Sequence, residues 1–175
     1  MNSKRKGSSF ERYLCERLSL WISNGERGDL LWRSSNSGGT ATNRFRRGSN
    51  ATSQVGDICA VDPIGHAFTD VFYVEAKHYS NLSIDSFLLK GIGPIVKFWN
   101  TAKSEGENYK KTPMLICKQN RYPIFVILPY VTNLMTNKLN STIIIKNKNI
   151  NCIIILFEEL LLTRFADCIS DLYNR

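Results

Sequence analysis

The chain has 175 residues, 43% hydrophobic and 22% charged, enough for one domain with a real core and too few for two of ordinary size. A net charge of +8 and a pI near 9.4 favour a polyanionic partner, of which nucleic acid is the commonest. Five widely spaced cysteines without a Cys-x-x-Cys pair weigh against a zinc site or a disulfide framework and fit a reducing compartment.

The basic opening "MNSKRKGSSFE" leads into no apolar signal core. The most apolar run, "CIIILFEELLL", is too short for a bilayer and carries Glu158 and Glu159. An intracellular, soluble protein with no membrane association is expected. Ser8 and Glu11 have capping-box spacing, so a helix is predicted to start near Ser8 and to end at "SNG". Phe10, Leu14, Leu18 and Trp21 form its apolar stripe, and Arg12, Glu16, Ser19 and Ser23 its polar face. Glu11 borders the buried side with Leu14, Cys15, Leu18 and Ile22, and its capping role alone accounts for it.

A first strand is predicted over 29–34; Trp32, Phe45 and Tyr79 are candidates to stack on bases, with core packing the expectation for Trp32. The following stretch, "SSNSGGTATNRFRRGSNATSQVG", is rich in Ser, Gly, Asn and Thr and carries Arg44, Arg46 and Arg47. Loops this long are functional or disordered, so a solvated insertion and a flap over a phosphate backbone both stand. Residues 57–61 and 68–77 read as a hairpin around the turn "DPIG". A helix over 84–102 should break at "GIGP", with Pro94 restarting it. "PMLICK" and "PIFVIL" are short buried strands, "STIIIKNKNINCIIILF" a second hairpin, and 158–173 a closing helix. The order gives an α/β domain with a mixed β-sheet flanked by helices.

The chemistry lies in "FYVEAKHYS". Glu75 and Lys77 project from one face of a strand, and the hairpin brings Asp57 beside them, with Glu11 able to approach from the first helix. Crowded carboxylates call for a cation, and hard oxygen ligands suit Mg²⁺. Lys77 then has two possible tasks: orienting and deprotonating a water, or stabilising charge on a phosphate. His66 and His78 have no partner at metal-binding spacing and read as non-catalytic, His78 pointing to the opposite face from Lys77.

"KGSSFERYLCERL", "RSSNSGG", "GDICAV", "VEAK" and "PMLICKQNR" together resemble the PD-(D/E)xK nuclease superfamily, and within it the archaeal-type and phage Holliday-junction resolvases, over about 5–128. The resemblance implies a restriction-endonuclease-like core and a single nuclease domain over 1–175, with a flexible basic loop inserted at 34–55. It implies Asp57 and Glu75 as metal ligands, Lys77 as the catalytic lysine, Glu11 as the helix-borne acid of the metal site, and the Ala76 carbonyl as a further ligand. Ser37 would lie at the scissile strand, and Lys4, Arg5, Lys6, Arg33, Arg44, Arg46, Arg47, Lys118 and Arg121 would contact DNA. Two departures stand out: the first acid follows Gly rather than Pro, and "TATNRFRRGSNATSQV" is inserted where resolvases have a short connection. The expected activity is that of a Mg²⁺-dependent DNA endonuclease, with Mn²⁺ as a possible substitute, most specifically a homodimeric junction resolvase in recombination or repair, possibly phage-encoded. The alternatives are a nicking, repair or restriction-like endonuclease, or a non-catalytic nucleic-acid-binding protein with Glu75 and Lys77 as a structural ion pair.

Overall fold

A computed structural model of the chain describes residues 3–34, 55–130, 139, 142–146 and 150–173. Helix α1 spans Ser3–Ile22. Strand β1 (Leu31–Arg33) pairs antiparallel with β2 (Ile58–Ala60). A 3-10 turn at Pro63–Gly65 and the short α2 (His66–Thr69) lead to β3 (Phe72–Tyr79). Helices α3 (Ile84–Lys90) and α4 (Pro94–Asn108) cross over to β4 (Thr112–Gln119), parallel to β3. β5 (Phe125–Pro129), β6 (Thr142–Lys146) and β7 (Asn151–Leu156) complete a five-stranded sheet of order β3-β4-β5-β7-β6, and α5 (Phe157–Leu162) and α6 (Phe165–Tyr173) close the described chain.

Alternation along the strands divides the interior into two cores. Phe72, Val74, Met114, Ile116, Val126 and Ile153 face α1, α5 and α6. Tyr73, Leu115, Cys117, Ile127 and Cys152 face α3 and α4, where Phe87, Ile95 and Trp99 are fully buried. Each such side chain contributes roughly 1.5–3 kcal/mol of apolar burial. All five cysteines are buried, and Cys15, Cys117, Cys152 and Cys168 lie in these two layers as small hydrophobes. Among the described residues no helix is long and apolar enough to cross a membrane.

The mixed α/β architecture and the break at Gly91–Pro94 match expectation. Gly91 caps α3 in a left-handed conformation (φ 65°), and Pro94 opens α4. Four expectations need correction. Helix α1 begins at Ser3, so Ser8 is an interior residue and not a cap, because the basic first turn continues the helix without a break. Ser19, expected on the polar face, is fully buried, its hydroxyl donating to the Cys15 carbonyl (2.7 Å) and accepting from the Leu31 amide (3.0 Å). The first hairpin is β1–β2 rather than β2–β3, since "DPIGHAFT" winds into helical turns that separate β2 from β3. The closing helix is divided at Thr163 and Arg164.

Candidate active site

Gly56 makes the closest backbone approach at the site. Its φ of +80° lies in the left-handed region, and a Cβ there would stand 2.5 Å from the Val74 carbonyl oxygen. A side chain is therefore excluded, and β2 docks against the free edge of β3. The Asp57 amide donates to the Val74 carbonyl (2.8 Å), and the Asp57 carbonyl accepts from the Ser34 amide (2.9 Å). Asp57 Oδ2 accepts from the Ala76 amide at 2.8 Å. Two backbone hydrogen bonds thus anchor Asp57, and a third fixes its carboxylate, which local sequence alone would leave free to turn.

Along β3, residues 73, 75, 77 and 79 share the face toward α4. Lys77 Nζ pairs with Glu75 Oε1 and lies 3.7 Å from Asp57 Oδ2. Tyr73 donates its hydroxyl proton to Glu75 Oε2 (3.4 Å) and stacks on Tyr109. The Asp57, Glu75 and Lys77 side chains are only 9%, 15% and 22% exposed, so their charges interact in a partly dry setting. Burial first, and then the charge of Glu75, push Asp57 up to about 7, although Lys77 opposes this. Burial pushes the Lys77 ammonium down, but Glu75 and Asp57 outweigh it, and the net direction is up. Lys77 is therefore a cation in this environment.

The sequence-predicted site residues separate into groups. Asp57, Glu75 and Lys77 come together. The Ala76 amide points at Asp57, and its carbonyl, which shares that edge of the strand, opens on the same side. Glu11 is near enough to raise Asp57 further, but its own Oε2 accepts from Arg33 Nε at 3.0 Å. Arg33, expected on the DNA backbone, here ties β1 to α1. Among the described residues no group of three His, Cys, Asp or Glu side chains is arranged to hold a metal ion. The donors that do converge are two carboxylates and a backbone carbonyl, all hard oxygens. Burial first, and then the neighbouring charge of Glu75, raise the proton affinity of Asp57, and a bound cation would offset both. The chemistry of this set would suit a hard divalent ion, which prefers oxygen donors and would keep water or phosphate as further ligands.

Lys6 from α1 lines a cleft of about 390 Å³ with Gly7, Glu11, Ala76, Lys77, His78, Tyr79 and Ser80. Lys118, the register partner of His78, and Arg121, in the β4–β5 turn, lie at the same end of the sheet. Lys4 and Arg5 lie in the first turn of α1, outside the residues whose side chains are described, and Ser37, Arg44, Arg46 and Arg47 lie outside the described residues altogether. His78 points away from Lys77 as expected, packing edge-on to Phe10 at 5.5 Å, with Nε2 3.2 Å from Asn120 Oδ1. Trp32, expected in the core, is 54% exposed, because alternation along β1 gives the interior to Leu31. Sequence reasoning missed Tyr73 and the reason for Gly56. The i, i+2, i+4 row Tyr73-Glu75-Lys77 carried the first signal. The second needed β3 as a neighbour.

The chain matches the family model described as "Phage putative PDDEXK endonuclease" over residues 2–169. The comparisons found no match among curated proteins and none among solved structures. Nucleases of the PD-(D/E)xK type typically use divalent metals and act on DNA. With nearly the whole chain matched and a five-stranded mixed sheet flanked by helices in the restriction-endonuclease-like arrangement, this chain belongs to the phage PD-(D/E)xK endonuclease family.

Proposed function

We propose that the protein is a Mg²⁺-dependent DNA endonuclease, active also with Mn²⁺, whose preferred substrate is branched DNA such as the four-way junction. The observation that carries this reading is the convergence of Asp57, just before β2, with Glu75 and Lys77 of β3 onto one partly buried edge. The carboxylates of Asp57 and Glu75 and the carbonyl of Ala76 would hold the cation. A divalent ion bound there supplies Lewis acidity to the phosphoryl group and lowers the pKa of water.

The protein's own groups do the positioning. Asp57 is fixed through Ala76, Val74 and Ser34. Tyr73 orients Glu75. Of the two tasks open to Lys77, its ion pair with Glu75 and its nearness to Asp57 favour the electrostatic one: the ammonium neutralises charge gathering on the phosphate in the transition state and orients the attacking water by donating to it. Glu11, held by Arg33, is the accessory acid of the set, raising the negative potential at Asp57. Lys6, Lys118 and Arg121 grip the backbone near the cleft, with Lys4, Arg5, Ser37, Arg44, Arg46 and Arg47 supplying further contacts. A homodimer suits a junction, where two symmetric cuts are needed. The family description favours a phage product acting on DNA inside the host cell.

The competing reading is a non-catalytic nucleic-acid-binding protein, favoured by the fact that Lys77 and Glu75 already form an ion pair. A cleavage panel of four-way junction, linear, nicked and single-stranded DNA in Mg²⁺ and in Mn²⁺ separates the readings. The expected result is preferential cutting of the junction by wild-type protein, with Asp57→Ala and Lys77→Ala binding but not cutting. Equal cutting of all four forms would remove the resolvase label and retain the nuclease. Cutting of none would leave only the binding protein.

A further inference from the structure

Beyond Lys77, β3 ends in an aromatic residue that the hydrolytic chemistry does not use. Tyr79 is 46% exposed although its ring stacks on Phe98 of α4, with centroids 5.5 Å apart and an interplanar angle of 21°. One ring face is therefore backed and held, and the remainder opens to solvent. Phe98 also lies 5.8 Å from Lys77 Nζ, so one ring braces both the lysine and the tyrosine. Two residues along a strand separate Tyr79 from Lys77 by about 6.6 Å on the same face, the length of about two steps of a stacked nucleic-acid strand.

Tyr79 also lines the cleft of about 390 Å³, whose other walls bring the cationic Lys6 and the hydrogen-bonding groups of Glu11, His78 and Ser80. That volume suits a small ligand group, and the mixture of a flat aromatic surface, polar edges and a cation matches a nucleotide. A base inside a duplex has both of its faces covered by neighbours. Only an unstacked base offers a free face to such a ring.

We propose that Tyr79, braced by Phe98, is a stacking platform for an unpaired nucleobase at the end of β3, where Tyr79 borders the cleft lined by Lys6, Glu11 and Ser80. The site rests on the nuclease reading above and deepens it. It selects DNA in which a base is already free, as at a bulge, a flap or a branch point, and disfavours continuous duplex. Tyr79 is here a binding residue and takes no part in moving protons.

The test uses a duplex with one bulged 2-aminopurine and the same duplex fully paired, titrated with the full chain in EDTA so that nothing is cut. Wild-type protein and Tyr79→Phe should quench the bulged fluorophore. Tyr79→Ala should abolish the quenching and weaken binding of the bulged DNA by roughly ten- to a hundredfold, with less than a twofold change for the paired duplex. Tyr79→Leu keeps an apolar contact with Phe98 while lacking a π-face, and it should behave as Tyr79→Ala does. A thermal melt of each variant identifies any that fail to fold, and Tyr79→Leu decides the matter if Tyr79→Ala is one of them. Quenching that survives both substitutions, or equal weakening of both DNAs, would overturn the platform. Loss of all cleavage with intact quenching would remove the nuclease and keep the base site, whereas normal cleavage without quenching would do the reverse.

Discussion

The two faces of β3 are built from the same eight residues and have opposite characters. Toward α1 stand Phe72, Val74 and Ala76, each at most 8% exposed, in a continuous apolar layer. Toward α4 stand Tyr73, Glu75, Lys77 and Tyr79, a row in which each side chain touches the next or a shared neighbour. The apolar face fixes the register, because a slip of one residue would exchange the two sets and drive both charges into the core. The polar face is therefore positioned at little cost to itself. Packing on one side holds in place a charged cluster that, judged alone, is expensive to desolvate.

The largest separation of the two faces should come from removing the charges themselves. Asp57→Ala or Lys77→Ala is expected to lower cleavage by about 10²–10³-fold or more, with DNA affinity largely retained. Val74→Ala is the mirror experiment: its side chain is 1% exposed, so its loss should destabilise the fold by about 2–3 kcal/mol. Cleavage below the melting temperature should then stay within a few-fold of wild type. Urea melts paired with single-turnover cleavage measure both quantities. If Val74→Ala abolished cleavage while remaining folded, the two faces would not be separable in function.

Gly56→Ala acts at the seam between β2 and β3. A Cβ there meets the Val74 oxygen at 2.5 Å in a conformation that L residues rarely adopt, so a stability loss of about 2–4 kcal/mol is expected. The seam should open and carry Asp57 away from Ala76, so cleavage should fall along with stability. A folded Gly56→Ala protein that cuts normally would show that Asp57 does not depend on this contact.

Acidity offers a finer test. Asp57 is raised to about 7 from an ordinary value of 3.8. Between about pH 4 and pH 7 the folded state therefore binds this proton more strongly than the unfolded state, and stability in the absence of divalent ions should decline as pH rises through that window. Asp57→Asn keeps an oxygen for the Ala76 amide and lacks the charge. It should lose this part of the decline, so that its advantage over wild type is small near pH 4 and grows toward pH 7.5. Chemical denaturation at several pH values in EDTA checks the sign. An advantage that shrank with rising pH would contradict the burial of Asp57 beside Glu75.

What the sequence disclosed follows from what is local. Glu75 and Lys77 were legible because a strand's period of two places them together whatever its neighbours do. The break at Gly91 and Pro94 was legible because both residues restrict their own backbone. Asp57 was placed beside them for a reason that needed correction: the expected hairpin puts β2 on β3 as a ladder, whereas β2 pairs with β1 and reaches β3 through the Asp57 amide at the close approach of Gly56. A three-residue strand carries too little pattern to name its partner. The Arg33–Glu11 ion pair joins residues 22 apart and has no local signature, so each was assigned a separate role. Ser19 was misread because a buried hydroxyl that satisfies two backbone groups looks, in a sequence, like any surface serine.

The smallest expected effect belongs to Tyr73, the apolar face's nearest counterpart on the polar side. It is 7% exposed and stacked on Tyr109, so by packing it is a core residue, yet its hydroxyl donates to the outer oxygen of Glu75. Burial and the charge of Glu75 both raise its pKa, so it remains a donor throughout the working range. Tyr73→Phe removes only that hydroxyl and preserves the ring stack. The net worth of such a hydrogen bond is about 0.5–1.5 kcal/mol, so a two- to tenfold fall in single-turnover cleavage is expected, with stability nearly unchanged. Because the hydroxyl orients Glu75 and reaches no phosphate, DNA affinity in EDTA should not move. An affinity loss without a rate loss would place Tyr73 on the substrate instead of behind the carboxylate, and the DNA-contacting part of the polar face would then begin at Tyr73, two residues before Glu75.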